Sequence, residues 1–328
     1  MRLIYFILVF TVCSSVSASP SFLNGIMPYE VSSARMKGEL IVRGSTRLEP
    51  MVRAWFKEFS ALYPYVKTNI EASGSSSAPK ALIKGSANIG AMSRRIKSAE
   101  IKAFVEEKGY PPLELKVAMD ALAVYVNRKN PIKELTLEEV DAIFSSTSQC
   151  SRNNGRNQES IESWGQLGWS KGGAIKAHNF HKTSGGYGLF RKRVLCKGKY
   201  KKGLLGQYKT SRQMTAAVAK SIASIGYASR SGNSGYGAKI IALSRSKAFP
   251  YYYPNSRNIA SNNYPLSRFL YLYIDKPPAE AMPPYLKEFI KYIYSSNGQK
   301  TISQAGAIPL PAQLIGKQLA EINKGRNL

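Results

Sequence analysis

The hydrophobic pattern of the first third of the chain switches between two periods. Residues 39–43 are predicted to form a strand around the apolar residues 40–42, and apolar residues then recur at helical spacing from Leu48 to Leu62. Residues 66–70 and 87–92 again have the pattern of strands, with a second helix predicted between them. Strand, helix, strand, helix, strand is the order of a parallel sheet covered by helices, so we expect an α/β protein.

Beyond residue 110 the pattern indicates a second lobe. Residues 113–119 and 122–126 are two apolar, strand-like runs, and we expect the chain to cross between lobes here. Thr136 and Glu139 form a capping box that predicts the start of a helix. A long polar loop then leads to another strand, which is predicted over residues 175–180.

The return to the first lobe is predicted later in the chain. Ser211 is predicted to cap a further helix, and the Gly- and Ser-rich residues 229–237 are interpreted as the return crossing. At 328 residues the chain is long enough for two lobes with a hinge between them. The predicted domains are an N-terminal arm (19–37), lobe I (38–120 plus 236–328) and lobe II (121–235).

The first 18 residues have the pattern of a secretory signal peptide. Arg2 supplies a positive start, residues 3–12 are apolar, and Val16-Ser17-Ala18 matches a small-residue cleavage site. The apolar run is shorter than a membrane span requires. We therefore predict a signal peptide over residues 1–18 and an exported protein, periplasmic or secreted.

Hydroxyl-rich loops enter helices at three predicted strand ends. They contain Ser45-Thr46, Ser75-Ser76-Ser77 and Ser184-Gly185-Gly186. A helix start offers unpaired N–H groups and a positive dipole end, which together favour an anion. Each loop alone could be an ordinary serine cap. Ligands of parallel sheets bind beyond the carboxyl ends of the strands, so the recurrence favours an anion site.

The charge balance favours acidic partners. The chain has 47 Lys and Arg against 20 Asp and Glu, a formal net charge of +27. Such an excess predicts attraction to small anions, polyanions or acidic envelope surfaces, and we expect no specific nucleic-acid partner. The densest basic run, between Arg191 and Lys202, is either a solvated face or a polyanion site.

The numbers of cysteines and histidines limit which disulfides and metal sites the chain can form. Removal of the signal peptide would leave Cys150 and Cys196, and the sequence leaves open whether they pair, because it does not give the distance between them. Two histidines without a Cys/His cluster at ligand spacing predict no transition metal, and we expect no cofactor.

The order of these segments resembles the PstS-like family, the phosphate-binding substrate-binding proteins of bacterial ABC importers. The resemblance covers roughly residues 38–311. It is carried by Gly44-Ser45-Thr46-Arg47-Leu48-Glu49-Pro50, Gly74-Ser75-Ser76-Ser77, Gly90-Ala91-Met92-Ser93-Arg94, Ser184-Gly185, Ala223-Ser224-Ile225-Gly226-Tyr227, Tyr264-Pro265-Leu266-Ser267-Arg268-Phe269-Leu270-Tyr271, Gly298-Gln299 and Gly306-Ala307-Ile308-Pro309-Leu310. It implies two α/β lobes, each a mainly parallel sheet flanked by helices, that close on the ligand about a hinge.

The resemblance also implies a ligand site shared by both lobes. The residues at the family's ligand positions or beside them are Thr46, Arg47, Ser75, Ser76, Ser93, Arg94, Ser184, Gly185 and Gly186. A tetrahedral oxyanion held between the two donor sets would link the lobes and favour the closed state.

Two positions depart from the family's pattern. The usual Ser-Gly-Thr is here Ser184-Gly185-Gly186, and the arginine expected four residues before that serine is Phe180. His181 or Lys182 is the candidate replacement for the missing charge, although Lys lacks the bidentate fork of Arg. These departures predict phosphate binding that is weak, altered or absent.

The function favoured by these observations is capture of phosphate, or a similar tetrahedral oxyanion, for an ABC permease by a monomeric binding protein. The alternative is the same fold reused as a basic adhesion module that binds polyanions or envelope components. An enzyme is not expected, because His178 and His181 have no acidic residue nearby in sequence to orient them. The sequence does not separate phosphate from sulfate or arsenate.

Overall fold

The computed structural model describes residues 23–153, 159–231 and 237–324. The predicted signal peptide and residues 232–236 of the predicted return crossing lie outside the described residues. The described part of the arm packs on the body of the protein: the Tyr29 hydroxyl bonds to the Tyr63 hydroxyl at 2.7 Å and donates to Glu288. Among the described residues, no helix is both long and apolar enough to span a bilayer.

Secondary structure in the first part of the chain follows the predicted order of elements. These elements are β1 (Gly38–Gly44), α1 (Glu49–Leu62), β2 (Val66–Glu71), α2 (Ser77–Ile83), β3 (Ile89–Met92), α3 (Ser98–Lys108) and β4 (Leu113–Asn127). Helix α1 forms because its apolar residues share one face, on which Trp55 and Phe59 are fully buried. The Trp55 ring lies in the hydrophobic core, and its indole N–H donates to the Gly298 carbonyl at 2.9 Å.

The middle of the chain alternates short strands and helices. These elements are β5 (Glu134–Thr136), α4 (Leu137–Phe144), α5 (Gln149–Asn153), β6 (Lys176–Phe180), α6 (Gly185–Arg193), β7 (Leu205–Tyr208), α7 (Ser211–Ala219) and β8 (Ser224–Ser229). The capping box of Thr136 and Glu139 at the start of α4 is confirmed. The cap of α7 was predicted wrongly: Thr210 is the N-cap, and its hydroxyl accepts from the Gln213 N–H. Ser211, one residue later, bonds elsewhere.

The last part of the chain completes the first sheet and covers it with helices. Its elements are β9 (Ala238–Ile240), β10 (Ala242–Ser244), α8 (Ser256–Ala260), β11 (Ser267–Ile274), α9 (Pro284–Tyr294), α10 (Ser296–Gln304) and α11 (Ala312–Lys324). Helix α9 buries Phe289, Ile290 and Ile293 on the face that packs towards α1 and β1.

The main sheet has nine strands in the order β2-β1-β3-β11-β4-β8-β6-β7, with β9 also paired to β4. Parallel ladders join β1 to β2 and β3, and β6 to β7 and β8. Antiparallel ladders join β11 to β3 and β4, and β4 to β8. The sheet is therefore mixed, with a parallel group at each end and the antiparallel pairs at its centre.

Strand β4 is common to both halves of the sheet. It pairs with β11 up to Ala121 and with β8 from Leu122 onwards. The sequence pattern predicted two strands here because Asp120 interrupts the apolar run. The structure has one continuous strand, since Asp120 is fully buried and paired within it. The division into lobes after residue 120 remains a prediction; the change of partner in β4 lies next to that position.

The loop between α4 and β6 is fixed to the second half of the sheet at two points. Trp164 is fully buried and donates its indole N–H to the Ala223 carbonyl. Cys150 and Cys196 form a disulfide with a Cα–Cα distance of 5.0 Å. The pairing that the sequence left open therefore exists, and it ties α5 to the segment that follows α6.

Candidate anion-binding cleft

A cleft of about 390 Å³ lies between the two halves of the sheet. Its walls come from the loops before α1, α2, α6 and α7 and from the ends of β3, β8 and β11. The lining residues are Ser45, Thr46, Arg47, Glu49, Pro50, Gly74, Ser93, Leu122, Phe180, Ser184, Gly185, Gly186, Lys209, Thr210, Ser211, Arg212, Ser229, Ser231, Arg268 and Ala305. The predicted residues Thr46, Arg47, Ser93, Ser184, Gly185 and Gly186 are brought together here.

The turn after β1 places Ser45 at the cleft. Gly44 has φ of +143°, and a Cβ at this position would overlap the Ala91 carbonyl of β3. Only glycine allows this approach, after which the Ser45 N–H donates to the same carbonyl at 2.8 Å. The Ser45 hydroxyl then accepts from the Arg47 N–H at 3.2 Å. The loop before α1 is thereby held against the end of β3.

Ser75 and Ser93 form a buried hydroxyl pair behind this wall. Ser75 accepts from the Ser93 backbone N–H at 3.1 Å, and the two hydroxyl oxygens lie 3.2 Å apart. Both side chains are almost completely buried. Ser93 lines the cleft, and Ser75 positions it, so the two predicted residues act at the same point.

Ser76 and Arg94 lie outside the cleft lining. Arg94 makes a bidentate ion pair with Glu100, at 2.8 and 2.6 Å, and donates to the Ser76 hydroxyl at 3.3 Å. Burial alone would raise the pKa of Glu100, but hydrogen bonds from Arg94 and from the Lys97 N–H hold it below its usual value. Nη1 and Nη2 of Arg94 therefore bond Glu100 at the start of α3 and the Ser76 hydroxyl, and Arg94 is not among the lining residues of the cleft.

The start of α6 meets Ser75 and Ser93 from the opposite wall. The Ser184 hydroxyl caps the helix by accepting from the Gly186 N–H at 3.1 Å. A Cβ at Gly185 would overlap the Ser93 hydroxyl oxygen and lie 2.5 Å from that of Ser75. Because both hydroxyls are buried and hydrogen-bonded, only glycine permits this contact between the walls.

The two departures from the family's pattern are sterically linked. Phe180 is buried at the cleft wall and packs edge-to-face on Tyr227, with 5.4 Å between ring centroids. A Cβ at Gly186 would lie 3.3 Å from the Phe180 ring, which is closer than an ordinary contact. A threonine at position 186 would therefore press against a phenylalanine at position 180, and glycine relieves that pressure.

The candidate replacements for the missing arginine are not at the cleft. Lys182 is exposed and is not among the lining residues. His181 bonds through Nδ1 to the Thr183 hydroxyl at 2.8 Å. The cationic side chains that do line the cleft are Arg47, Lys209, Arg212 and Arg268.

Sequence reasoning missed a buried ion cluster centred on Asp120. Asp120 accepts from Arg268 at 3.2 and 2.7 Å, from Arg47 at 3.1 Å and from the Ser229 hydroxyl at 3.0 and 2.9 Å. Burial alone would raise the pKa of Asp120, but the charges of Arg47 and Arg268 outweigh it and hold the pKa below its usual value. The available signal was a single carboxylate inside an apolar strand, because buried carboxylates are nearly always paired.

The start of α7 was also missed as part of the site. Thr210 caps this helix, and the Ser211 hydroxyl accepts from the Ser229 N–H at 3.2 Å. The Thr46 hydroxyl donates to the Lys209 carbonyl at 3.3 Å, which joins the first wall to this loop across the cleft. The cleft is therefore bounded by several helix starts, hydroxyl groups and arginines, an arrangement that suits an oxyanion.

This fold, with a hydroxyl-rich cleft between two halves of a shared sheet, is that of a periplasmic-type binding protein. The sequence matches the PBP superfamily domain over residues 30–297. It is 36% identical over 304 residues to the phosphate-binding protein PstS of Pseudomonas aeruginosa, a match that covers 92% of each chain. The protein SphX of Synechococcus elongatus is 27% identical over 298 residues, covering 88% of this chain and 82% of the relative. The chain therefore belongs to the PBP superfamily and, within it, to the PstS-like family.

Solved structures agree on the fold. An ABC-type phosphate transport receptor from Vibrio cholerae matches with a TM-score of 0.63 at 21% identity, covering 83% of this chain and 100% of the other. PstS from Borrelia burgdorferi matches with a TM-score of 0.55 at 21% identity, covering 83% and 99%. The two-lobed binding-protein fold expected from the sequence is confirmed. These relatives give no support to the alternative of an adhesion module.

Proposed function

We propose that this protein binds inorganic phosphate, or a similar tetrahedral oxyanion, in the cleft and delivers it to the permease of an ABC importer. The observation that carries the proposal is the contact of Gly185 with Ser75 and Ser93, which brings a helix start of one wall onto the hydroxyl pair of the other. The similarity to PstS of Pseudomonas aeruginosa, which is named for phosphate binding, supports the choice of ligand.

The physical chemistry of the cleft supports capture of an anion. Hydroxyls, helix-start N–H groups and arginine N–H groups surround a small volume, and each is strongest as a donor to a charged acceptor. An anion that contacts both walls stabilises the closed arrangement by its differential affinity for it. The net charge of +27 would raise the rate at which anions reach the cleft.

The same proposal covers the export of the protein, its monomeric state and its division into lobes. The predicted signal peptide over residues 1–18 would export the chain, and a monomer with lobes at 38–120 plus 236–328 and at 121–235 would close about β4. The proposed role is binding rather than catalysis. His178 bonds to the Tyr208 and Ser224 hydroxyls, and neither it nor His181 is among the described lining residues.

The proposal is tested by calorimetric titration of phosphate into protein that has been unfolded and refolded, disulfide intact, to remove carried-over anion. We expect saturable binding with one site per chain. Ser75→Ala should weaken it roughly tenfold or more, because the Ser93 N–H loses its acceptor and the hydroxyl pair is broken. Wild-type protein that shows neither binding heat nor a phosphate-dependent rise in melting temperature would refute the proposal.

A further inference from the structure

Arg47 has a donor that the protein does not use. Its side chain is 11% exposed and lines the cleft. Nε donates to Asp120 at 3.1 Å and to the Ser229 hydroxyl at 2.8 Å, and Nη1 makes a long contact of 3.4 Å with the Ala305 carbonyl. Nη2 is buried and has no hydrogen-bond partner within the described part of the chain.

An unpaired buried donor on a charged group is costly. Leaving such a group unsatisfied costs on the order of 1–3 kcal/mol, and more when the group is charged. Native structures therefore rarely keep one without a reason, and a binding role is one such reason. Because Arg47 is a lining residue of the cleft, an oxygen of an anion held there is a candidate acceptor for Nη2.

The charge balance of the cluster gives an independent argument. Two guanidinium groups, Arg47 and Arg268, share the single carboxylate of Asp120. Buried charges are stabilised when they are neutralised by partners, so this cluster has an excess positive charge. A bound oxyanion would compensate that excess at the cleft.

Of the two arginines, Arg47 is the one with donor capacity left. Arg268 directs Nε and Nη2 to Asp120 and Nη1 to the Ser93 carbonyl at 3.1 Å. It therefore links the end of β3 to β4. The register of the sheet places Arg268 directly opposite Asp120, which fixes this pair independently of any ligand.

The remaining cations are poorer candidates for a fixed contact. Lys209 and Arg212 line the cleft but are exposed, so their charges are hydrated and screened by salt. Lys182 is exposed and outside the lining. None of the three has the buried anchoring that Asp120 and Ser229 give to Arg47.

We infer that the guanidinium of Arg47, oriented by Asp120 and Ser229, is the charge-assisted donor to the bound oxyanion and replaces the arginine that Phe180 displaces. The inference rests on the proposed function. It moves the cation from the second half of the sheet, where the family's pattern has it, to the loop before α1. Asp120 and Ser229 are positioning residues, because they act on the ligand through Arg47.

The test is calorimetric titration of phosphate into Arg47→Gln, Arg47→Lys, Lys182→Gln and wild-type protein, each stripped of anion. Lys192→Gln is the matched control, because it removes one exposed positive charge on α6 away from the cleft. We expect Arg47→Gln to bind roughly 10- to 100-fold more weakly, by loss of a charge-assisted bond. The phosphate affinity of Arg47→Lys should lie between those of wild type and Arg47→Gln, because Lys keeps the charge but has no planar fork with which to bond both Asp120 and the ligand.

The outcomes separate the inference from the proposed function. Lys182→Gln and Lys192→Gln should stay within about twofold of wild type, because exposed charges are screened. Wild-type binding that survives in Arg47→Gln, or that is lost in Lys182→Gln instead, would overturn the inference and leave the function standing. Absence of binding in wild type would overturn both.

A second variant covers the case in which Arg47→Gln does not fold. Ser229→Ala keeps both arginines with Asp120 and removes one of the two anchors of the Arg47 Nε. Several-fold weaker binding by protein with wild-type circular dichroism would support the inference, and unchanged affinity would contradict it.

Discussion

The two walls of the cleft are built on opposite principles. The first wall, from the ends of β1, β3 and β11 and the middle of β4, contains buried charge: Asp120 with Arg47 and Arg268, beside the hydroxyl pair of Ser75 and Ser93. The second wall, at the start of α6, contains glycines, a serine cap and an apolar ring, and contributes backbone N–H groups. The first wall supplies the buried charge and the start of α6 supplies shape, so neither alone forms the proposed site.

Under the proposed function, this difference lets the cleft hold an anion without an arginine at position 180. Charge in a two-sided site can come from either wall, because the ligand contacts both. Phe180 makes the second wall apolar and requires Gly186 beside it, while Arg47 keeps an unused donor on the first wall. The comparison predicts that variants of the first wall change electrostatics and those of the second change fit.

The largest effect is expected from Asp120→Asn on the first wall. It leaves Arg47 and Arg268 without their shared carboxylate, and breaking a buried pair typically costs about 3–5 kcal/mol. Urea denaturation would measure this loss. The exposed pair of Lys102 and Glu106 supplies the control, since Glu106→Gln should cost less than about 0.5 kcal/mol. A loss below about 1 kcal/mol for Asp120→Asn would contradict the assignment of buried charge to this wall.

A pH effect of similar size is expected behind the second wall, from His178. Burial, and next the charge of Lys176, lower the pKa of His178 from 6.5 to about 4. The unfolded chain therefore binds a proton that the folded chain excludes, so stability falls as pH drops from about 6.5 to about 4. The shift corresponds to an upper limit of about 3 kcal/mol.

The measurement for His178 is the difference in unfolding free energy between wild type and His178→Gln at pH 7.5 and pH 4. The free energy of unfolding of wild type should exceed that of the variant at pH 7.5, and this difference should shrink as the pH falls to 4. The difference is needed because Asp141 opposes the trend: burial raises its pKa to about 6, so acidification stabilises the fold through that group. Parallel pH profiles for the two proteins would show that His178 is not buried in its neutral form.

A smaller effect, confined to binding, is expected for Gly185→Ala. Its Cβ would press on the buried hydroxyls of Ser75 and Ser93 and hold the walls apart. Overpacking of about 1–3 kcal/mol corresponds to roughly 5- to 150-fold weaker phosphate binding. Gly188→Ala, on the same helix, is the matched control, because its Cβ would meet Arg94 Cδ at an ordinary 3.4 Å. Equal effects of the two substitutions on affinity would argue against contact between the walls.

The smallest effect is the predicted coupling between positions 180 and 186. Gly186→Thr should destabilise the protein by about 1–2 kcal/mol, through crowding against the Phe180 ring. In a Phe180→Ala background the same substitution should cost at least about 0.5 kcal/mol less. A double-mutant cycle by urea denaturation measures this difference, and additive costs would mean that the two departures are independent.

Local signals in the sequence predicted secondary structure in both halves of the chain. The capping box at Thr136, the helical spacing around Trp55 and the hydroxyl-rich loop at Ser184 act over a few residues, and the structure retains all three. Ser211 was predicted as the cap of α7, but the neighbouring Thr210 is the cap. Both residue types suit the position, and only the backbone conformation distinguishes them.

The ion cluster could not be predicted, because its members are distant in sequence. Asp120 and Arg268 are 148 residues apart and meet through the register of β4 and β11. Arg94 shows the converse: the sequence places it beside Ser93, but its side chain turns to Glu100. Order along the chain therefore predicted the cleft loops before α1, α2 and α6 and missed the one before α7, and three-dimensional pairing decided which cations keep a donor for a ligand.

The central claim, that one oxyanion is held between the two walls, is tested most directly by a crystal structure with bound arsenate. Arsenate has the shape of phosphate, and the anomalous scattering of arsenic locates it without ambiguity. We predict one strong peak in the cleft, within hydrogen-bond distance of the Arg47 guanidinium and of backbone N–H groups at Gly185 or Gly186. Peaks only on the exposed basic surface, with none in the cleft, would contradict the account.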